Sequence, residues 1–146
     1  MATNTREIRT TPERVWAVLA DGWLYPLWVV GASRMREVDD SWPEVGSKLY
    51  HSVGTWPLLI DDNTEVLESD PGRFIRLRAR GWPMGEADVA VTLSPTGAHT
   101  SVEIEEEAVS GPGALMPKLV ETPMLRWRNS ETLRRLALIA ENRQVG

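Results

Sequence analysis

The chain predicts an α+β domain in which seven antiparallel strands form one sheet, two short helices follow the first strand, and a long helix ends the fold. Three observations carry this. Apolar and polar residues alternate with period two through the middle of the chain. The alternating runs are separated by short turn signals, which join successive strands as an antiparallel meander. The last part of the sequence changes to apolar spacings of three and four, the period of a helix with one buried stripe.

Residues 3–9 read as the first strand. Thr11-Pro12-Glu13 then opens a helix over 12–20: Thr11 offers a capping oxygen, Pro12 sits where its missing N–H has no partner to lose, and Glu13 brings negative charge to the positive helix end. Val15, Trp16, Ala17, Val18 and Leu19 supply apolar surface. Gly22-Trp23-Leu24-Tyr25-Pro26-Leu27-Trp28 is short and proline-interrupted, so it reads as a second short helix or turn. Six more strands are predicted at about 33–39, 46–55, 61–69, 73–81, 86–94 and 99–109. Their corners carry Trp42-Pro43, Trp56-Pro57, Asp70-Pro71-Gly72, Trp82-Pro83-Met84-Gly85 and Ser94-Pro95-Thr96-Gly97.

Alternation also assigns faces. Ile75, Leu77 and Ala79 share one side of their strand and Arg76, Arg78 and Arg80 the other. Ala87, Val89, Val91 and Leu93 continue the apolar side, as do Val102, Ile104 and Ala108, with Glu103, Glu105 and Glu107 opposite. One sheet face is therefore buried and the other wet. The cover for the buried face is a helix from about 123 to 142, roughly 30 Å long, whose stripe is Leu125, Asn129, Thr132, Leu133, Leu136, Ile139 and Ala140. Pro117 and Pro123 are expected to start, kink or interrupt any extension towards Gly113.

Composition bounds function. At 146 residues the whole chain, 1–146, reads as one domain with room for a sizeable core. A net charge of −5 disfavours nucleic acid and anionic membranes, which select basic surfaces. With no cysteine there is no disulfide, thiolate metal site or cysteine nucleophile. No apolar run reaches the ~20 residues needed to cross a bilayer and no signal peptide is evident, so a cytoplasmic protein without membrane insertion is expected. Two distant histidines without metal-ligand spacing predict no metal, and the absence of a glycine-rich phosphate loop or a nucleophile elbow leaves no cofactor expected. Seven tryptophans against one phenylalanine and two tyrosines fill the core or wall an apolar cavity.

In this order, the elements resemble the helix-grip fold of the START-like or SRPBCC superfamily, in its polyketide cyclase/dehydrase-like branch. The local carriers are Thr11-Pro12-Glu13-Arg14-Val15-Trp16, Val45-Gly46-Ser47, Val66-Leu67-Glu68-Ser69-Asp70-Pro71-Gly72-Arg73 and Gly97-Ala98-His99-Thr100-Ser101-Val102, and the resemblance spans essentially the whole chain. It implies a sheet curved around the last helix, with a cavity between them that takes apolar or aromatic ligands. The superfamily holds lipid carriers, cyclases and hydrolases alike, so a reaction does not follow from the fold.

Within such a cavity the candidate lining is Trp28, Trp56, Trp82, Leu77, Val89, Ile104, Asn129 and Leu133. His51 shares a face with Leu49 and Val53, where it would act as acid or base, unless a bulge reverses the strand and leaves it in solvent. Glu106 interrupts an inward apolar series, so alternation buries a carboxylate unless the strand ends or bulges there. Asp62 alternates with Ile60, Thr64 and Val66, with its phase running through a turn-like Asp61-Asp62-Asn63. Asn129 needs a hydrogen-bond partner if its stripe is buried. Arg128 and Glu131 read as solvated charges; Trp127, on the far side from Leu136, is exposed or covers a loop or subunit contact, which leaves a homodimer open.

These residues lead to a cytoplasmic protein that binds a small hydrophobic or aromatic molecule. The alternative is a polyketide cyclase/aromatase-like enzyme using His51 with Glu106 or Asp62 for proton transfer. A protein-interaction module with a vestigial cavity is the third reading.

Overall fold

The computed structural model describes residues 2–30, 32–53, 60–81, 85–115 and 118–142. Seven strands form one curved antiparallel sheet: β1 (Ala2–Ile8), β2 (Ala32–Val38), β3 (Lys48–Val53), β4 (Ile60–Asp70), β5 (Phe74–Gly81), β6 (Gly85–Thr96) and β7 (His99–Ser110). Their order across the sheet is β1-β7-β6-β5-β4-β3-β2. Strands β2 to β7 therefore form a meander, while β1 closes the far edge on β7. The helices are α1 (Pro12–Ala20), α2 (Tyr25–Trp28, entered through a 3-10 turn over Gly22–Leu24) and α3 (Lys118–Asn142). This is the helix-grip arrangement.

Local chemistry sets α1 as the sequence predicts. The Thr11 hydroxyl accepts from the Arg14 amide at 3.4 Å, Pro12 occupies the first turn, and Val15, Val18 and Leu19 are buried. Asp21 ends this helix and caps the next turn by accepting from the Trp23 amide. Gly85 opens β6 at φ +100°, and a Cβ there would collide with the Ser110 carbonyl on β7.

Side-chain alternation places Leu49, Val66, Ile75, Leu77, Val91, Leu93, Val102 and Ile104 in one core with Val15, Val18, Leu133, Leu136, Ala137 and Ala140. On the opposite face, Arg76 pairs with Glu68, Arg78 with Asp88 and Arg80 with Glu86. Helix α3 packs on β1 and β7 and against α1 and α2.

Two local expectations change. The segment 61–63 is no turn: β4 runs through it from Ile60, and paired with β3 it sets Asp62 opposite His51. Helix α3 begins at Lys118 and carries Pro123 inside. Pro123 is the sixth helical residue, where the carbonyl ladder is only beginning, so the lost hydrogen bond is near the helix end.

Candidate functional site

Strand β3 presents His51 on the buried face between Leu49 and α2. Its side chain is 3% exposed, and Nε2 lies 2.8 Å from the Thr64 hydroxyl on β4. That hydroxyl also meets the Tyr25 phenol at 3.1 Å. The Tyr25 ring stacks on His51 at 5.5 Å between centroids and meets Trp28 edge-on at 5.4 Å. A short helix thus places an aromatic pair directly over a histidine supplied by the sheet.

The Thr64 hydroxyl at the centre of the Tyr25–Thr64–His51 chain has one hydrogen and two lone pairs, so it donates to at most one of these two partners. In one arrangement Tyr25 donates to Thr64 and Thr64 to Nε2, leaving N–H on Nδ1. Alternatively, Nε2–H donates to Thr64 and Thr64 to Tyr25, leaving a lone pair on Nδ1. Burial holds the imidazole below its ordinary pKa, with Asp62 opposing the shift and Arg36 adding to it. The ring is therefore neutral at neutral pH. Burial also pushes the Tyr25 phenol up to about 12; the Thr64 bond and Arg128 oppose this and Glu106 adds to it.

The third group comes from β7 and α3. Glu106 is 4% exposed and its carboxylate accepts from the Arg128 guanidinium. Arg128 is thus no simple solvated charge: a buried carboxylate without a cation is costly, and the arginine reaches in from a side chain 39% exposed. Glu131, by contrast, bonds Arg134 and Arg135 along α3. Next to Arg128 on α3, Asn129 is 3% exposed. A 3.5 Å contact from the Val30 amide to the Thr132 hydroxyl ties the end of α2 to the same stretch of α3.

Three side chains in this region carry buried polar atoms without a hydrogen bond: His51 Nδ1, Trp28 Nε1 and Asn129 Nδ2. Each such atom costs roughly 1–3 kcal/mol if nothing meets it. Other unpaired atoms, on Asn4, Asn63, Arg76 and Arg80, are spread over β1, β4 and β5.

Of the predicted lining, Leu77, Ile104 and Leu133 are buried, Val89 is half-buried and Trp28 is 4% exposed. Trp56 and Trp82 lie outside the described residues. Asp62 is half-buried beside His51, whereas Glu106 is engaged by Arg128; the histidine's hydrogen bond goes to Thr64 and not to a carboxylate. Tyr25, Thr64 and Arg128 were not among the expected site residues. Thr64 had a signal, since it shares the alternating series of Asp62; Tyr25 and Arg128 had none in local pattern. Trp127 is exposed, at 71%.

A surface groove of ≈ 400 Å³ between the end of α1 and the β2–β3 connection, bordered by Trp23, Trp42 and Asp40, shares no residue with this cluster. Among the described residues no group of three or more His, Asp or Glu is placed to hold a metal, and no helix is long and apolar enough to cross a membrane.

The family model described as "Polyketide cyclase / dehydrase and lipid transport" matches residues 2–141. No curated protein matches the chain. Among solved structures, protein NE0264 from Nitrosomonas europaea is 18% identical with a TM-score of 0.73, over 95% of this chain and 92% of that one. Ara h 8.0201 is 10% identical with a TM-score of 0.70, over 95% and 97% of the two chains. The di-domain ARO/CYC StfQ from the steffimycin biosynthetic pathway is 16% identical with a TM-score of 0.68, over 97% of this chain and 50% of that one. At these identities the likeness is one of fold.

Proposed function

The chain belongs to the polyketide cyclase / dehydrase and lipid transport family, and from that premise we propose that it binds a small hydrophobic or aromatic molecule between the sheet and α3. The observation that carries this reading is the cluster of buried, unpaired polar atoms on Trp28, His51 and Asn129 within an aliphatic and aromatic surround. Leu77, Val89, Ile104 and Leu133 supply the apolar lining, with Trp56 and Trp82 as further candidates. Apolar burial drives association at about 25 cal/mol per Å², and the few polar groups orient the ligand. The same reading takes the protein as a cytoplasmic carrier, alone or as a homodimer, with no cofactor, metal, nucleic acid or membrane. Native mass spectrometry of freshly purified protein is the direct test: a co-purified small molecule supports it. A clean apo mass, together with no saturable response to a chemically broad aromatic panel, overturns it.

A second reading has its own support in the neutral imidazole of His51, hydrogen-bonded through Thr64 to a phenol that stays protonated. In a cyclase/aromatase-like enzyme His51 would move a proton, with Asp62 beside it or Glu106 as the acidic partner. His51→Gln is then expected to slow turnover of a cyclisable substrate about 100-fold while affinity changes little. In a carrier the same change alters affinity by about tenfold at most, with no turnover in either form.

A further inference from the structure

The polar atoms around Tyr25 also specify what kind of small molecule the site accepts. Trp28 is the informative member. An indole N–H can only donate, so whatever meets Nε1 must be an acceptor, whichever way the Thr64 hydroxyl points. Trp28 packs edge-on against Tyr25, which also stacks on His51, and α2 packs on α3, which carries Asn129. Trp28 and His51 are therefore joined through Tyr25, and Asn129 lies on the helix against which α2 packs.

Charge narrows the class further. Among the described residues no Lys or Arg is fully buried, and of the two guanidinia near the cluster Arg128 is paired with Glu106 and Arg36 with Asp61. His51 is neutral because burial disfavours its charged form. An incoming carboxylate would lose its water without gaining a free cation, and it would face the Glu106 carboxylate. A pure hydrocarbon would leave the Trp28 donor unmet.

Resting on the ligand-binding reading above, we infer that the site selects an uncharged apolar ligand bearing an acceptor oxygen, of ketone, ester or quinone type, held by Trp28, and discriminates against carboxylates of the same shape. This selection is a property of the chain's own side chains and requires no reaction.

A matched series tests it: 2-acetylnaphthalene, 2-ethylnaphthalene and 2-naphthoate, each titrated calorimetrically into the full chain at neutral pH. The ketone is expected to bind about tenfold more tightly than the ethyl analogue, although it is the less hydrophobic of the two, and about tenfold more tightly than the carboxylate. Trp28→Phe should bring the ketone to within about threefold of the ethyl compound, whatever change the smaller ring makes to both affinities alike. If that variant fails a thermal-melt and circular-dichroism check, Asn129→Leu and the wild-type ranking decide. Equal or tighter binding of the ethyl compound or the carboxylate overturns the selectivity and leaves ligand binding standing. No saturable binding of any of the three overturns both.

Discussion

The two faces of this sheet are built from similar polar residues and put them to different uses. On the convex face Arg78 makes two hydrogen bonds to Asp88, at 2.8 and 3.1 Å, and Arg76 and Arg80 pair with Glu68 and Glu86 in half-exposed positions. Water competes for each of these pairs, so each contributes little. On the concave face one carboxylate, one imidazole, one phenol and one carboxamide lie among aliphatic side chains, and every partnership there is made in low dielectric. The number of charges does not mark the site. What sets the concave face apart is whole polar side chains, His51, Glu106 and Asn129, removed from water, whereas on the convex face only single atoms of half-exposed arginines are covered.

The largest expected effect tests whether the concave face is the core. Leu136→Ala removes a fully buried side chain on α3 and is expected to cost about 2–5 kcal/mol in urea denaturation. A loss below about half a kcal/mol would mean that α3 does not seal this face.

Next comes the contrast between buried and exposed ion pairs. Arg128→Met leaves Glu106 buried without its cation and should cost about 2 kcal/mol, a value moderated by the partial exposure of Arg128. Adding Glu106→Gln to that variant should recover much of the loss. If the single variant is as stable as wild type, the buried pair is no different from those on the convex face.

A pH scan sharpens the same contrast. Because the folded Tyr25 pKa is raised to about 12 from 10, its contribution is intact below pH 10 and is lost as pH climbs towards 12. The loss should be on the order of 2 kcal/mol, removed by Tyr25→Phe. In a Tyr50→Phe background, tyrosinate absorbance should stay flat through pH 11; an ordinary titration near 10 would place the phenol in water. At the acid end the sign reverses. The depressed His51 pKa means that stability is present above about pH 6.5 and falls as pH drops below it, which an NMR titration of the ring would report as a midpoint under 6.5.

The smallest effect belongs to the convex face. Arg78→Met is expected to cost less than about 1 kcal/mol, and raised salt should shrink the difference further. A loss as large as that of Arg128→Met would erase the distinction between the faces.

Features that depend on near neighbours and on period are legible in the chain. The Thr11 cap and Pro12 start α1, alternation places Leu77, Val91 and Ile104 inward, and the three-four spacing places Asn129, Leu133 and Leu136 on the buried stripe of α3. Each follows from backbone geometry that the residue imposes on itself or shares with residues a few positions away. Alternation also brought His51 and Glu106 to the inner face. What met them there was decided only by the tertiary structure. Arg128 reaches Glu106 across 22 positions and Tyr25 reaches Thr64 across 39, distances over which no periodic pattern carries information. Pro123 was tolerated inside α3, a helix packed on β1, β7 and α2, and the turn-like Asp61-Asp62-Asn63 became strand because β3 supplied its ladder. Local propensity chooses the elements; burial against distant partners decides which polar groups lose water.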